Sequence, residues 1–164
     1  MMLTENFDLR EFVSPTVWNR FGEDSIWFVN PWCYKFAQFM KDWLTGEYGE
    51  EVTVTVNNWH LGGNRKWSCH RSYKYINEQI KAGKKTATLS QHVGGQAHAI
   101  DFQAKIKSSG EVISSSDIRA KMMKQESLMM AHGLTTLEGD KYAPVWVHAD
   151  NRRTSLDHIL IVGA

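Results

Sequence analysis

Cysteine is nearly absent from this chain: Cys33 and Cys69 are the only two in 164 residues, too few for a disulfide framework. They are not spaced as C-x-x-C, which excludes a thioredoxin-like redox pair and a zinc site built from cysteine. An excess of one charge sign is also lacking. The formal net charge is +1 and no block of like charges occurs, so neither a nucleic-acid footprint nor a polybasic membrane patch is expected. No apolar run is long enough to span a bilayer, and no membrane insertion is expected. The opening MMLTENFDLREFV has no basic n-region and no apolar h-region. The expectation is therefore synthesis in a reducing cytoplasm, with another agent delivering the protein if its substrate lies outside the membrane. Internal repeats and low-complexity segments are missing as well.

Apolar residues make up 42% and charged residues 23%, ordinary proportions for one globular domain spanning 1–164. Seven tryptophans are many for this length. Most are expected to fill the core, and a few to line a substrate groove.

Local signals divide the chain. Asp8 followed by Glu11 has the spacing of a capping box, which predicts a short helix ending before Ser14-Pro15. Asn30-Pro31 is an N-cap with proline at the first helical position. Trp32, Phe36, Phe39, Met40 and Trp43 follow at helical spacing, and Gly46 suits the stop. Residues 52–56 alternate and are β-branched, the pattern of a strand. Residues 57–91 read as a long loop with room for a helical turn or two over 73–82, and long loops in small domains usually carry function. Residues 99–106 alternate with Asp101 facing away from Ile100, Phe102, Ala104 and Ile106. A Met-rich helix is predicted over 114–131, with Gly133 beyond its end. Strands are predicted over 134–138, 145–149 and 158–162. Helices first, then strands interrupted by a helix, predict an α+β domain with a mostly antiparallel sheet flanked by helices.

Among the seven histidines, two have a telling context. His92 lies in a glycine-rich loop that leads to Asp101 at the start of an alternating strand. His148 lies on a later strand, where Trp146, His148 and Asp150 share a face opposite Val145, Val147 and Ala149. A face carrying Trp, His and Asp belongs in a cleft. Two imidazoles and one carboxylate from different elements suit a catalytic zinc, which takes three protein ligands and keeps one position open. His60 and His70 are expected at the surface of the long loop, and His132 beside the end of the Met-rich helix. Cys69 has no context for a nucleophile.

The pattern Ser-x-His-x-x-Gly-x-Ala over 90–97, the Asp101-Phe102 that follows and the later Trp-Val-His-x-Asp over 146–150 resemble the zinc D-Ala-D-Ala carboxypeptidase family. That family shares its fold with the hedgehog signalling domain. More narrowly, the chain resembles the phage-borne branch. Residues 3–12 resemble its N-terminal segment. Residues 53–59, Gly62-Gly63 and Trp67-Ser-Cys-His-Arg71-Ser72 resemble its strand and Ser-Gly-Tyr-Arg-Ser element. The landmarks keep family order over residues 3–152.

The resemblance implies a hedgehog/DD-peptidase-like fold and a zinc metallopeptidase acting on peptidoglycan stem peptides, as an endolysin or a virion-associated wall peptidase. It assigns His92, Asp101 and His148 as ligands, Arg71 to a substrate carboxylate or carbonyl, and Ser68 to substrate anchoring. Two departures stand out. Asp101 is nine residues after His92 where the family has seven. A two-residue insertion around 96–98 accounts for it, and leaves His98 as a rival ligand or outer partner. Val145 occupies the position of the usual acid, three residues before the last histidine. Glu138 on the preceding strand is the first substitute, Asp150 the second, and Asp140 the third, although Gly139-Asp140 reads more simply as a turn. The rival classes are a metal-binding wall-recognition domain without catalysis and a structural phage component.

Overall fold

The computed structural model describes residues 1–84, 90–93 and 96–163. Gly94 and Gly95, part of the glycine-rich loop that carries His92, lie outside the described residues. The chain forms one α+β domain, a mixed sheet flanked by helices. No described helix is long and apolar enough to cross a membrane.

The N-terminal segment begins with a single 3₁₀ turn, Leu9–Glu11. Both arms of the capping box at Asp8 form: Asp8 Oδ1 accepts from Arg10 N at 2.9 Å, and Glu11 Oε1 accepts from Asp8 N at 3.2 Å. Ser14-Pro15 does not merely end this turn. Ser14 caps a new helix, α1 (Pro15–Phe21), with Pro15 in its first turn. The proline marks a start because its fixed φ and missing N–H both suit that position. The main helix, α2 (Pro31–Tyr48), is capped by the Asn30 side chain, which accepts from Trp32 N at 2.9 Å. It runs past Gly46 and stops at Gly49, whose φ of 66° provides the left-handed turn that Gly46 does not adopt. Cys33, Phe36, Ala37, Met40 and Leu44 are its buried stripe, and it packs on β1 (Val52–Thr55) and β2 (Ala99–Ile106).

A helix α3 (Tyr73–Lys81), capped by Ser72, occupies the long loop. The Met-rich segment is two helices, α4 (Ser115–Lys124) and α5 (Glu126–Ala131), broken at Gln125. Side chains hold the break: Gln125 Oε1 accepts from Trp43 Nε1 at 3.2 Å, and Glu126 Oε1 accepts from Ile159 N at 2.7 Å. Met122 and Met129 are fully buried, so the stripe is core packing. No tryptophan joins the fully buried residues. Trp18, Trp32 and Trp43 only edge the core, which corrects the expectation that most tryptophans would fill it.

The remaining strands are β3 (Val112–Ile113), β4 (Thr136–Glu138), β5 (Val147–Asp150) and β6 (Leu160–Val162). Their order is β1-β2-β5-β4-β6, with β3 beside β2. The β4–β6 pairing is parallel and the other pairings are antiparallel. Val147 and Ala149 are in the core as expected, but Val145 precedes the strand and is 61% exposed.

One half-buried acid of the N-terminal turn titrates unusually. Burial, reinforced by the nearby Asp8 charge, pushes Glu11 up to about 7. A carboxyl with a higher pKa folded than unfolded loses stability as pH rises from its unfolded value through its folded one. Glu11→Gln retains an acceptor for the Asp8 N–H and removes the titration. Its stability relative to wild type should grow by on the order of 2 kcal/mol between pH 5 and pH 8 in denaturant unfolding. A difference independent of pH would show that Glu11 is not held neutral by folding.

Candidate metal centre

β1 stops pairing with β2 at Thr55↔Gln103, so the edge of β2 at Asp101 needs other partners. The loop supplies them. Arg65 Nε donates to Val56 O and its Nη2 to Asp101 O, both at 2.8 Å. Asn57 Oδ1 accepts from Ser68 N at 2.9 Å, and Ser68 O accepts from Asp101 N at 2.6 Å. Arg71 N then donates to His92 O at 2.8 Å. The loop is thereby sewn to both candidate ligands of the first metal segment.

On the other side of β2, Asp101 and His148 are direct cross-strand partners. His148 Nδ1 lies 2.7 Å from Asp101 Oδ1, and His92 Nε2 lies 3.3 Å from each of those two atoms. All three residues are buried, and their ligand atoms lie within 4.8 Å of one another. These atoms form a group that could hold a metal ion. Two ligands at about 2.0–2.1 Å from a tetrahedral ion stand about 3.3 Å apart, so the spacing fits with little movement.

Outer partners fix each ligand. His92 Nδ1 donates to Cys69 O at 2.8 Å, which leaves Nε2 bare for a cation. His148 Nε2 faces Asp150 Oδ2 at 3.1 Å, which aims Nδ1 inward. Asp101 Oδ2 accepts from Arg71 Nη2. Metal-binding histidines commonly have such second partners on their other nitrogen.

The electrostatics follow from these contacts. Burial, with the Arg71 charge beside it, lowers His92 to about 4, so this ring is neutral. Burial also disfavours a charged His148, but its hydrogen bonds to Asp101 and Asp150 prevail and raise it to about 9. Burial opposes the charge on Asp101, yet Arg71 and the His148 hydrogen bond hold it well below the usual carboxylate range. Asp150 is lowered to about 2: its burial is outweighed by hydrogen bonds from His148 and Arg152.

The triad opens into a cleft of about 1130 Å³. Arg71 and Glu138 line it, as do Tyr75, Tyr142, Trp146 and Arg152. Glu138 is opposite Val162 on β6. Continuing the Thr136↔Asp150 and Leu137↔Ala149 register by one pair puts Glu138 beside His148. Asp101, His148, Glu138 and Val162 thus form one row across four neighbouring strands. Glu138 makes no ion pair among the described residues, unlike the other two carboxylates of the site.

The remaining sequence candidates fall elsewhere. Asp150 is fully buried and shared between His148 and Arg152, outside the cleft lining. Ser68 is buried and also off the lining, where it acts through its backbone. Asp140 pairs with Arg119 at a separate hollow. His98 Nδ1 faces Asn30 and Asn151 rather than the triad, so it joins neither as ligand nor as outer partner. His70 is buried against Phe28, not at the surface, and burial lowers it to about 4. Cys69 is fully buried with its thiol pushed up, an inert position. Sequence reading missed Tyr75, Tyr142 and Arg152 as cleft residues. Only Arg152 had a signal, the short Asp150-x-Arg152 spacing that allows its i, i+2 contact. No family model, curated protein or solved structure matches the chain.

A cation entering this group must displace the proton on His148 Nδ1 at any pH below about 9. Apparent affinity for zinc should therefore rise about tenfold from pH 7 to pH 8, with about one proton released per ion. Calorimetry in buffers of differing ionisation enthalpy measures both. Asp150→Asn should weaken affinity by roughly 10–100-fold without changing stoichiometry. Affinity flat with pH, or untouched in His148→Ala, would remove His148 from the ligand set.

Proposed function

We propose that this protein is a zinc-dependent peptidase of the D-Ala-D-Ala carboxypeptidase type, with the hedgehog/DD-peptidase fold, that hydrolyses an amide bond in peptidoglycan stem peptides. The observation that carries the reading is the convergence of His92 Nε2, Asp101 Oδ1 and His148 Nδ1 at 2.7–3.3 Å. They lie at the floor of a cleft whose neighbouring strand presents Glu138. A two-nitrogen, one-oxygen donor set with room for a fourth ligand suits zinc better than calcium or magnesium, which favour oxygen. Zinc held there supplies Lewis-acid polarisation of a carbonyl and brings a water's pKa toward neutrality.

The chain's own groups account for the proton traffic. Glu138 is the cleft-facing carboxylate that makes no ion pair among the described residues, so it is the one free to take a proton from the attacking water. The oxygen joins the carbonyl carbon, the C–N bond breaks, and the same proton passes from Glu138 to the leaving nitrogen. Asp101 and Asp150, each clamped by an arginine, are poor bases and serve as ligand and orienter. Arg71 reaches the triad through Asp101, and its guanidinium contributes positive potential where the oxyanion develops. Tyr142 and Trp146 give the cleft apolar walls against which a peptide can lie. The resemblance to the phage branch supports an endolysin or a virion-borne wall enzyme.

A second reading is a metal-binding wall-recognition domain without catalysis. It draws on Val145, an exposed apolar side chain where the usual acid stands.

Digestion of purified sacculi followed by mass spectrometry separates the two. Wild type with zinc should release peptide fragments whose masses identify the bond. Glu138→Gln should retain zinc and lose at least 10²-fold in rate, and His148→Ala should lose both. Full activity in Glu138→Gln would overturn its role, and intact sacculi with zinc-loaded wild type would favour the recognition domain.

A further inference from the structure

Arg152 lines the cleft, yet it is not part of the ligand set. Its Nε donates to Asp150 Oδ1 at 2.9 Å and Oδ2 at 3.1 Å, and its Nη2 also reaches Oδ2. The Asp150 carboxylate behind it is fully buried. One edge of the guanidinium is thus locked, while Nη1 makes no hydrogen bond among the described residues. The side chain keeps 32% of its surface exposed. The backbone is pinned too: Arg152 N donates to Asp150 Oδ1 at 3.0 Å and Arg152 O accepts from Thr135 Oγ1 at 2.7 Å.

A cation serving only to neutralise Asp150 has no need to face the cleft. One fixed by its inner edge, with no hydrogen bond at its outer edge and the Glu138 charge nearby but unpaired, can take an incoming anion at little further entropy cost. Its place is distinct from that of Arg71. Arg71 joins the row from the β2 side through Asp101, and Arg152 from the β5–β4 side through Asp150. Three cationic side chains, Arg71, Lys84 and Arg152, line the cleft against two carboxylates, Asp101 and Glu138. A divalent ion would make the balance more positive.

We propose that Arg152 is a specificity-determining residue that pairs with a free carboxylate along the bound stem, either the D-Glu α-carboxyl or the free diaminopimelate carboxyl. The site then selects stem peptides carrying that carboxylate over those in which it is a carboxamide. This rests on the peptidase reading but is separable from it, because the pairing acts in binding. A charge-assisted pair with one guanidinium edge is worth roughly 10–100-fold.

The probes are synthetic L-Ala–γ-D-Glu–diaminopimelate–D-Ala–D-Ala in free-acid form and two singly amidated forms, at the D-Glu α-carboxyl and at the free diaminopimelate carboxyl. Each is measured for binding to the zinc-loaded protein by calorimetry, and for kcat/KM. With wild type, one of the amidated peptides should bind at least about tenfold more weakly than the free acid. With Arg152→Gln that penalty should shrink to about twofold or less, and Arg152→Lys should restore part of it. Zinc stoichiometry and Tm of each variant identify any loss caused by misfolding. A merely structural arginine would lower binding of all three peptides alike and leave the amidation penalty intact, which overturns the proposal. So would equal binding of all three peptides by wild type, or binding of none. Discrimination in binding without cleavage of any peptide would sink the peptidase reading and leave this one standing. Cleavage without discrimination would do the reverse.

Discussion

Burying a carboxylate in the middle of a sheet costs several kcal/mol unless cations and donors surround it, and at Asp101 that demand organises much of the molecule. One carboxylate oxygen faces His148 and His92, and the other faces Arg71. Its backbone is no freer, since its N–H is bonded to Ser68 and its carbonyl to Arg65. The long loop, the segment carrying His92 and the register of β5 against β2 therefore share one anchoring residue. Removing that charge would leave two imidazoles and a guanidinium without their common partner.

Strand geometry divides the labour among the carboxylates. Side chains on one face of a sheet recur every second residue, and cross-strand partners stand about 4.5–5.5 Å apart. Asp101, His148 and Glu138 share a level, while Asp150 lies one face-repeat further along β5. That step places Asp150 behind His148 rather than beside a substrate, and burial there is tolerated because Arg152 neutralises it. Three acids of similar intrinsic strength thus differ through their neighbours: one stands among the candidate ligands, one is buried behind His148, and one is left unpaired at the open cleft.

Much of this was legible in the sequence, for reasons tied to period and spacing. The alternation over 99–106 and 145–149 set which side chains face the cleft, and the α2 cap and stripe were plain from Asn30-Pro31 and the 3.6-residue rhythm. Glu138 was reached by supposing a hairpin neighbour for His148, and the β4–β5 register puts it there. Other features depend on contacts that no local pattern encodes. The break at Gln125 comes from Trp43 and Ile159, far away in the chain. The two-residue strand β3 is too short to show a period. Ser14-Pro15 was ambiguous because proline both ends and begins helices. The two-residue insertion before Asp101 left His98 as a rival ligand or outer partner, and only the fold turns it toward Asn30.

The stitching by Arg65 has a consequence for solubility. Beyond Gln103 no strand among the described residues covers the outer edge of β2, and an open edge invites pairing with another molecule. The loop fills that vacancy with a backbone acceptor, Ser68 O, and a side-chain donor, the half-buried Arg65 guanidinium. The same latch that holds Asp101 in place thus acts as a cover against intermolecular strand addition. Protein in which it lets go would be prone to self-association before it unfolded.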